Sequence, residues 1–338
     1  MGHEVTLITS SFKGAKKHEI IDGVEIFRFG CKYTVYFHAI LNYLLRFQKE
    51  CDVIVDDVNT VPFFTVYYSK QPVVAVFHQI MLKHLLIKEK PRWVTVPLAY
   101  IEPHLIKPYR RASCCIAVSE GTKKDLERLG IPSEKITVIH NGIDHNIYKP
   151  GSEKRENAIV YIGRLKFYKG VHDLILAFKK VVEKIPSARL RIVGRGDMYY
   201  EEYLRNLTEN LGLNDHVSFE GFTQEKEKVR ILQQSKVLAY PSIREGWGIS
   251  IIEANACGVP AVGYDAPGLR DSIRHGETGV LVRLGDVEAL AEALTSLLKD
   301  DMLREKMSRN ALEWSKKFSW DDSARRFEEV LKNLVDER

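Results

Sequence analysis

With 338 residues, 45% hydrophobic and 28% charged, the chain is long enough for two ordinary domains with separate cores, and its composition is that of a globular protein. No run of 18 apolar residues occurs, which excludes a helical membrane span, and no secretory leader is expected from Met1–Ser10. A net charge of +5 over this length is too small to argue for nucleic acid as a partner.

Short apolar runs alternate with longer helical patterns. Val5–Thr9, Val53–Val55, Val73–Phe77, Cys115–Val118 and Thr137–Ile139 read as buried strands, with a helix predicted at Thr122–Leu129. The pattern breaks at His145–Asn157, which is polar and holds Pro150, Gly151 and Ser152, so a linker is expected there. Beyond it, Ala158–Ile162, Arg189–Val193, Val217–Phe219, Val237–Ala239 and Pro260–Gly263 read as strands, and Val171–Lys184, Met198–Leu211 and Val287–Lys299 as helices. Strand–helix alternation argues for an α/β protein with parallel sheets covered on both faces. The expected division is 1–148 and 149–318, with a carboxyl-terminal helix near 319–338 packing back on the first domain. The five cysteines (Cys31, Cys51, Cys114, Cys115, Cys257) are odd in number and lack a CxxC pair. They read as small buried side chains in a reducing cytoplasm, not as a disulfide framework or zinc site.

Four stretches carry chemistry. His78 ends an apolar strand, where a lone histidine is either structural or aimed at a ligand. It is followed by 80–111, in which seven Lys/Arg face two acids between Lys83 and Arg111, alongside Leu82, Leu85, Leu86, Ile87 and Trp93. That mixture suits the edge of an anionic membrane on the side of His78, or a solvated helix pair. Next, Arg164 and Lys169 leave a strand end together, where two cations can neutralise a diphosphate, although a basic surface turn has the same spacing. Gly194-Arg-Gly196-Asp197 also joins strand to helix. Tyr199 occupies the third glycine position of a dinucleotide fingerprint, so a turn beside a nucleoside fits better than an NAD site. The strongest signal is Glu245-Gly-Trp-Gly248-Ile249-Ser250-Ile-Ile-Glu253, after another strand. Its glycines allow a tight bend and a helix start whose free N–H groups suit a diphosphate. Glu245 lies in the loop and Glu253 up the helix, so they reach different parts of one ligand, or are two solvated glutamates.

These pieces resemble retaining glycosyltransferase family 4. GRLKFYKG (163–170), VGRGD (193–197), EGF (220–222), YPSIREGWGISIIEANACGVPAV (240–262) and GETGVLV (276–282) occur in the family's order. CIAVSEGTKKDL (115–126), VIHNGIDHNIYKP (138–150) and FSWDD (318–322) are similar as well. The resemblance implies the GT-B fold, two Rossmann-like parallel-sheet domains facing a cleft. It implies transfer of a sugar from a nucleoside diphosphate sugar to a glycan or lipid-linked acceptor, with retention and with neither metal nor cofactor. In that reading Arg164 and Lys169 hold the diphosphate, and Glu253 the ribose. Glu245 contacts the transferred sugar, and the backbone of Gly248, Ile249 and Ser250 the phosphates or sugar. Gly194 lies by the base, and His78 faces the sugar from the first domain. The family's first domain opens with a strand, a glycine loop and a helix ending in a phrase like residues 2–9, so about 30 residues of such a unit are expected to be missing and the first sheet to lack its central strand. A donor-binding relic without transfer and a nucleotide-sugar epimerase of the same fold are the alternatives.

Overall fold

The computed structural model describes residues 2–58, 61–80, 101–152 and 155–336. The carboxyl half follows the expected plan. Strands β8 (Ala158–Ile162), β9 (Arg189–Val193), β10 (Val217–Gly221), β11 (Val237–Tyr240), β12 (Ala261–Tyr264) and β13 (Gly279–Val282) form one parallel sheet in the order β10-β9-β8-β11-β12-β13. Every residue of β8 and β11 is buried, as suits strands covered on both faces. Helix Val171–Lys184 turns Val171, Leu174, Ile175, Phe178 and Val181 into the core, a 3.6-residue period.

The amino half departs from a single parallel sheet. Strands β1 (Val5–Ser10), β2 (His18–Ile21) and β3 (Val24–Phe29) form a three-stranded sheet in the order β1-β3-β2, with β2 antiparallel to β3. Strands β4 (Ile54–Val58), β5 (Val73–Phe77), β6 (Cys114–Ala117) and β7 (Ile136–Val138) form a separate parallel sheet in that order. Among the described residues the outer edges of β1 and β4 have no paired strand. The antiparallel hairpin follows from Asp22-Gly23, whose φ of 50° and 82° are those of a tight two-residue turn.

The carboxyl-terminal helix, Trp320–Asp336, lays Phe327, Val330, Leu331 and Leu334 on Val74 and Ile116 of the four-stranded sheet and on Ile139 just after β7. Ser323 donates to the His140 carbonyl at 2.7 Å and Arg326 to that of Val138 at 2.7 Å. The cysteine reading needs correction. Cys114, Cys115 and Cys257 are buried, but Cys51 is only half-buried and Cys31 is exposed, because it lies in the turn after β3 and not on a core-facing strand.

Candidate functional site

All six strands of the carboxyl sheet run the same way, so the turns after β8, β9 and β11 meet at one edge, the usual place for ligands in α/β sheets. Two of these turns touch backbone to backbone. Leu165 N donates to the Arg195 carbonyl at 2.8 Å, and a Cβ on Gly194 would overlap the carbonyl oxygen of Gly163. Only glycine permits that approach, and at Gly194 it also supplies a φ of 138°.

Arg164 leaves β8 exposed, its guanidinium donating to the Tyr168 hydroxyl at 3.3 Å. Lys169 is placed differently. It ends a short helical turn, Phe167–Lys169, and is buried. Its ammonium donates to Glu245 Oε1 at 2.5 Å and to the Tyr240 hydroxyl at 3.3 Å. Burial works against the charged ammonium. The Glu245 carboxylate outweighs it, so the Lys169 pKa is raised and the cation persists. Burial, with the same carboxylate, pushes the Tyr240 hydroxyl up to about 12. The sequence reading gave Lys169 to the diphosphate and Glu245 to the sugar; here the two form one buried pair.

The loop bearing Glu245 is held from below. Ile243 N donates to the Tyr168 carbonyl at 2.9 Å, Ser242 Oγ to the Arg244 carbonyl at 2.9 Å, and Glu245 N to that of Pro267 at 3.0 Å. Gly248, with φ 89°, then opens the helix Ile249–Ala256, which has no side-chain cap. Ile249 and Ser250, which supply its first amides at the positive end of the helix dipole, are half-buried. Glu253, the fifth residue of that helix, is buried and accepts from Lys228 Nζ at 2.8 Å. Burial raises the pKa of the neighbouring Tyr148 hydroxyl, and the charge of Glu253 raises it further. Sequence reasoning missed both Lys228 and Tyr148. Nothing local separates Lys228 from the other charges of Glu225–Gln234.

His78 follows β5 in the first half. Its Nε2 lies 2.7 Å from Asp57 Oδ1, and both side chains are substantially exposed. A Cβ on Gly246 would overlap the His78 carbonyl oxygen, so the end of β5 abuts the Glu245 loop. The structure therefore brings His78, Glu245 and Lys169 to the seam between the two halves, with Arg164, Gly194 and the start of Ile249–Ala256 on the second side. Asp57 was also missed, although an acidic pair ending an apolar strand is a visible signal. Its neighbour Asp56 is buried, accepting from Thr65 Oγ1 at 2.7 Å and from Tyr109.

Most of the basic, apolar stretch 80–111, namely 81–100, lies outside the described residues. Lys107, Arg110 and Arg111 precede the amino end of β6, whereas His78 follows the carboxyl end of its parallel neighbour β5. Those three cations sit at the sheet edge opposite His78, not on its side of the cleft, because the amino end of one parallel strand lies at the edge opposite the carboxyl end of its neighbour. Among the described residues no group of three or more His, Cys, Asp or Glu is placed to hold a metal ion, and no helix is long and apolar enough to cross a membrane.

Residues 143–314 match the sequence profile of glycosyl transferases group 1, and residues 1–147 match that of glycosyltransferase family 4. The chain belongs to the group 1 glycosyltransferase family. It is 29% identical over 237 residues to a D-inositol 3-phosphate glycosyltransferase of Corynebacterium aurimucosum, covering 65% of this chain and 56% of the relative. It is 30% identical over 207 residues to the N-acetyl-alpha-D-glucosaminyl L-malate synthase of Bacillus anthracis, covering 58% and 53%. The chain thus spans about half the length of these curated relatives. Its fold is GT-B. Anabaena HepE, solved with UDP and glucose, superposes with a TM-score of 0.75 at 23% identity, covering 92% of this chain and 86% of that one. Sucrose-phosphate synthase from Thermosynechococcus elongatus superposes with 0.82 at 18% identity, covering 98% and 88%.

Proposed function

We propose that this glycosyltransferase-family chain moves a sugar from a nucleoside diphosphate sugar to an acceptor hydroxyl, with retention at the anomeric carbon and without a metal. The observation that supports it most is the convergence of Arg164, Lys169, Glu245, Glu253 and the start of Ile249–Ala256 on one sheet edge. The chemical task is to stabilise a departing diphosphate and an oxocarbenium-like carbon. Arg164 and the amides of Ile249 and Ser250 stabilise the growing negative charge on the leaving group, and a single such contact lowers the barrier by roughly 3 kcal/mol. The ammonium of Lys169, raised in pKa, stands at the floor of the same site. There it can divide its hydrogen bonds between Glu245 and a phosphate oxygen, having three to give. Glu245 then presents its other oxygen to a sugar hydroxyl, while His78, oriented by Asp57, faces the sugar from the first domain. Glu253 exchanges Lys228 for ribose hydroxyls, and the base lies along Gly194. The acceptor proton passes to the departing diphosphate on the same face, so no second carboxylate nucleophile is needed.

The acceptor is a glycan or lipid-linked sugar of a cell-envelope kind. The enzyme works in the cytoplasm, and 80–111 brings it against the inner, anionic face of a membrane. The charge and apolar content of that stretch support this.

Two variants test the division of labour. Glu253→Gln is expected to weaken nucleoside diphosphate binding by about tenfold, the loss of a charge-assisted contact. Glu245→Gln is expected to lower kcat far more than it lowers nucleotide affinity, because its ligand contact is with the sugar. Calorimetry with the nucleotide alone, beside turnover with the sugar donor, reads both. Equal losses of nucleotide affinity in the two variants would remove the assignment.

A further inference from the structure

The loop that carries Glu245 is anchored from the other domain as well as its own. The helix Glu120–Arg128, after β6 in the first half, makes three contacts with the second. Asp271 Oδ2 accepts from Gly121 N at 3.0 Å, a carboxylate placed at the positive end of that helix. Thr122 Oγ1 donates to the Gly246 carbonyl at 3.4 Å. Asp125 forms an ion pair with Arg244, and their side chains are only 5% and 12% exposed. The helix start is itself fixed, since the Ser119 side chain accepts from Thr122 N at 3.0 Å. Thus the residues on either side of Glu245 are both gripped by one helix of the opposite domain.

We propose that Asp125 is a positioning residue for sugar transfer: from the first domain it fixes Arg244, and through Arg244 and Gly246 it sets where Glu245 stands over the cleft. The proposal rests on the transfer reading above. The charged partners of Asp125 are Arg244 and Arg128, neither of which is among the groups assigned to the nucleotide (Arg164, Lys169, Glu253, Gly194). What it controls is the register between that domain and the first, which brings His78. Such register matters to the reaction more than to binding, because a misplacement of about 1 Å can cost on the order of a hundredfold in rate. The pair is too enclosed for water to replace a lost partner; burial works against the Arg244 cation and the charge of Glu102 offsets this only in part, so Arg244 without Asp125 is a poorly compensated buried charge. The Arg128 guanidinium, 3.5 Å from Asp125, is 73% exposed and is no substitute.

The test is a double-mutant cycle of Asp125→Asn and Arg244→Gln in the full chain, read by turnover, by nucleoside diphosphate affinity and by amide hydrogen exchange over residues 240–250. Each single variant is expected to lower kcat about ten- to a hundredfold while nucleotide affinity stays within about twofold. The double variant is expected to be no slower than the slower single, because the second change removes the charge that the first left unpaired. Exchange over 244–248 should quicken in Asp125→Asn while that over 163–170 is unchanged. Additive rate losses, a matching fall in nucleotide affinity, or unchanged exchange at 244–248 would each overturn the positioning role. If the unaltered chain turns over no sugar donor, the transfer reading fails, while the exchange comparison still decides whether Asp125 holds the loop.

Discussion

Lys169→Ala is expected to lose both stability and transfer. Its ammonium and the Glu245 carboxylate are 7% and 8% exposed and 2.5 Å apart. Removing the cation strands a buried carboxylate, which typically costs about 3–5 kcal/mol. For the reaction the loss is separate. Without the ammonium the departing diphosphate has one cation fewer, worth roughly 3 kcal/mol or about a hundredfold in rate. Thermal unfolding and steady-state turnover measure the two, and the double variant Lys169→Met/Glu245→Leu separates them. An apolar pair of similar volume should restore much of the stability but none of the activity. A Lys169→Ala protein of normal stability and normal turnover would mean that the pair is incidental.

Gly246→Ala is expected to separate the two domains without removing any charge. The added Cβ would overlap the His78 carbonyl oxygen and come within 3.5 Å of Gln79 Cβ. The first obstacle is backbone, so no rotamer change relieves it, and either the loop or the end of β5 must move. The groups assigned to the nucleotide belong to the second domain, as Gly246 does, and Arg164 and Gly194 stand on turns of it apart from this loop. Transfer should fall by about a hundredfold or more, while nucleoside diphosphate affinity changes by no more than about threefold. Gly194→Ala makes the useful contrast. Its Cβ would overlap the Gly163 carbonyl within the second domain, and its φ of 138° disfavours any side chain. That variant should lose nucleotide affinity and stability together. Turnover by Gly246→Ala at the unaltered rate would show that the seam plays no part.

Much of the fold was legible because the second domain's strands and helices carry clear apolar patterns, from the all-apolar Ala158–Ile162 to the 3.6-residue period of Val171–Lys184. Ala158–Ile162, Arg189–Val193 and Val171–Lys184 form over the bounds expected from sequence. The hairpin His18–Ile21 and Val24–Phe29 was missed. Its strands, HEII and VEIFRF, hold no apolar run longer than two residues, yet Asp22-Gly23 between them is a strong hairpin signal. At the site, the residues at strand ends could be found from sequence because glycines and charges mark those turns. Their partners could not. Asp57 meets His78, Lys228 meets Glu253 and Asp125 meets Arg244 across 21, 25 and 119 positions of chain, and only the folded chain brings them together. Lys169 shows the remaining gap. Its proximity to a phosphate site was readable, but its burial against Glu245 depends on the loop after β11 folding over the turn after β8.

The central claim is that the edge formed by Arg164, Lys169 and the start of Ile249–Ala256 recognises a nucleoside diphosphate. Calorimetric titration of UDP, GDP and ADP beside their nucleosides tests it most directly. At least one diphosphate is expected to bind ten- to a hundredfold more tightly than its nucleoside, about 1.4–2.7 kcal/mol, and Arg164→Ala should narrow that gap. A nucleoside that binds as tightly as its diphosphate, or a chain that binds none of the three diphosphates, would contradict it.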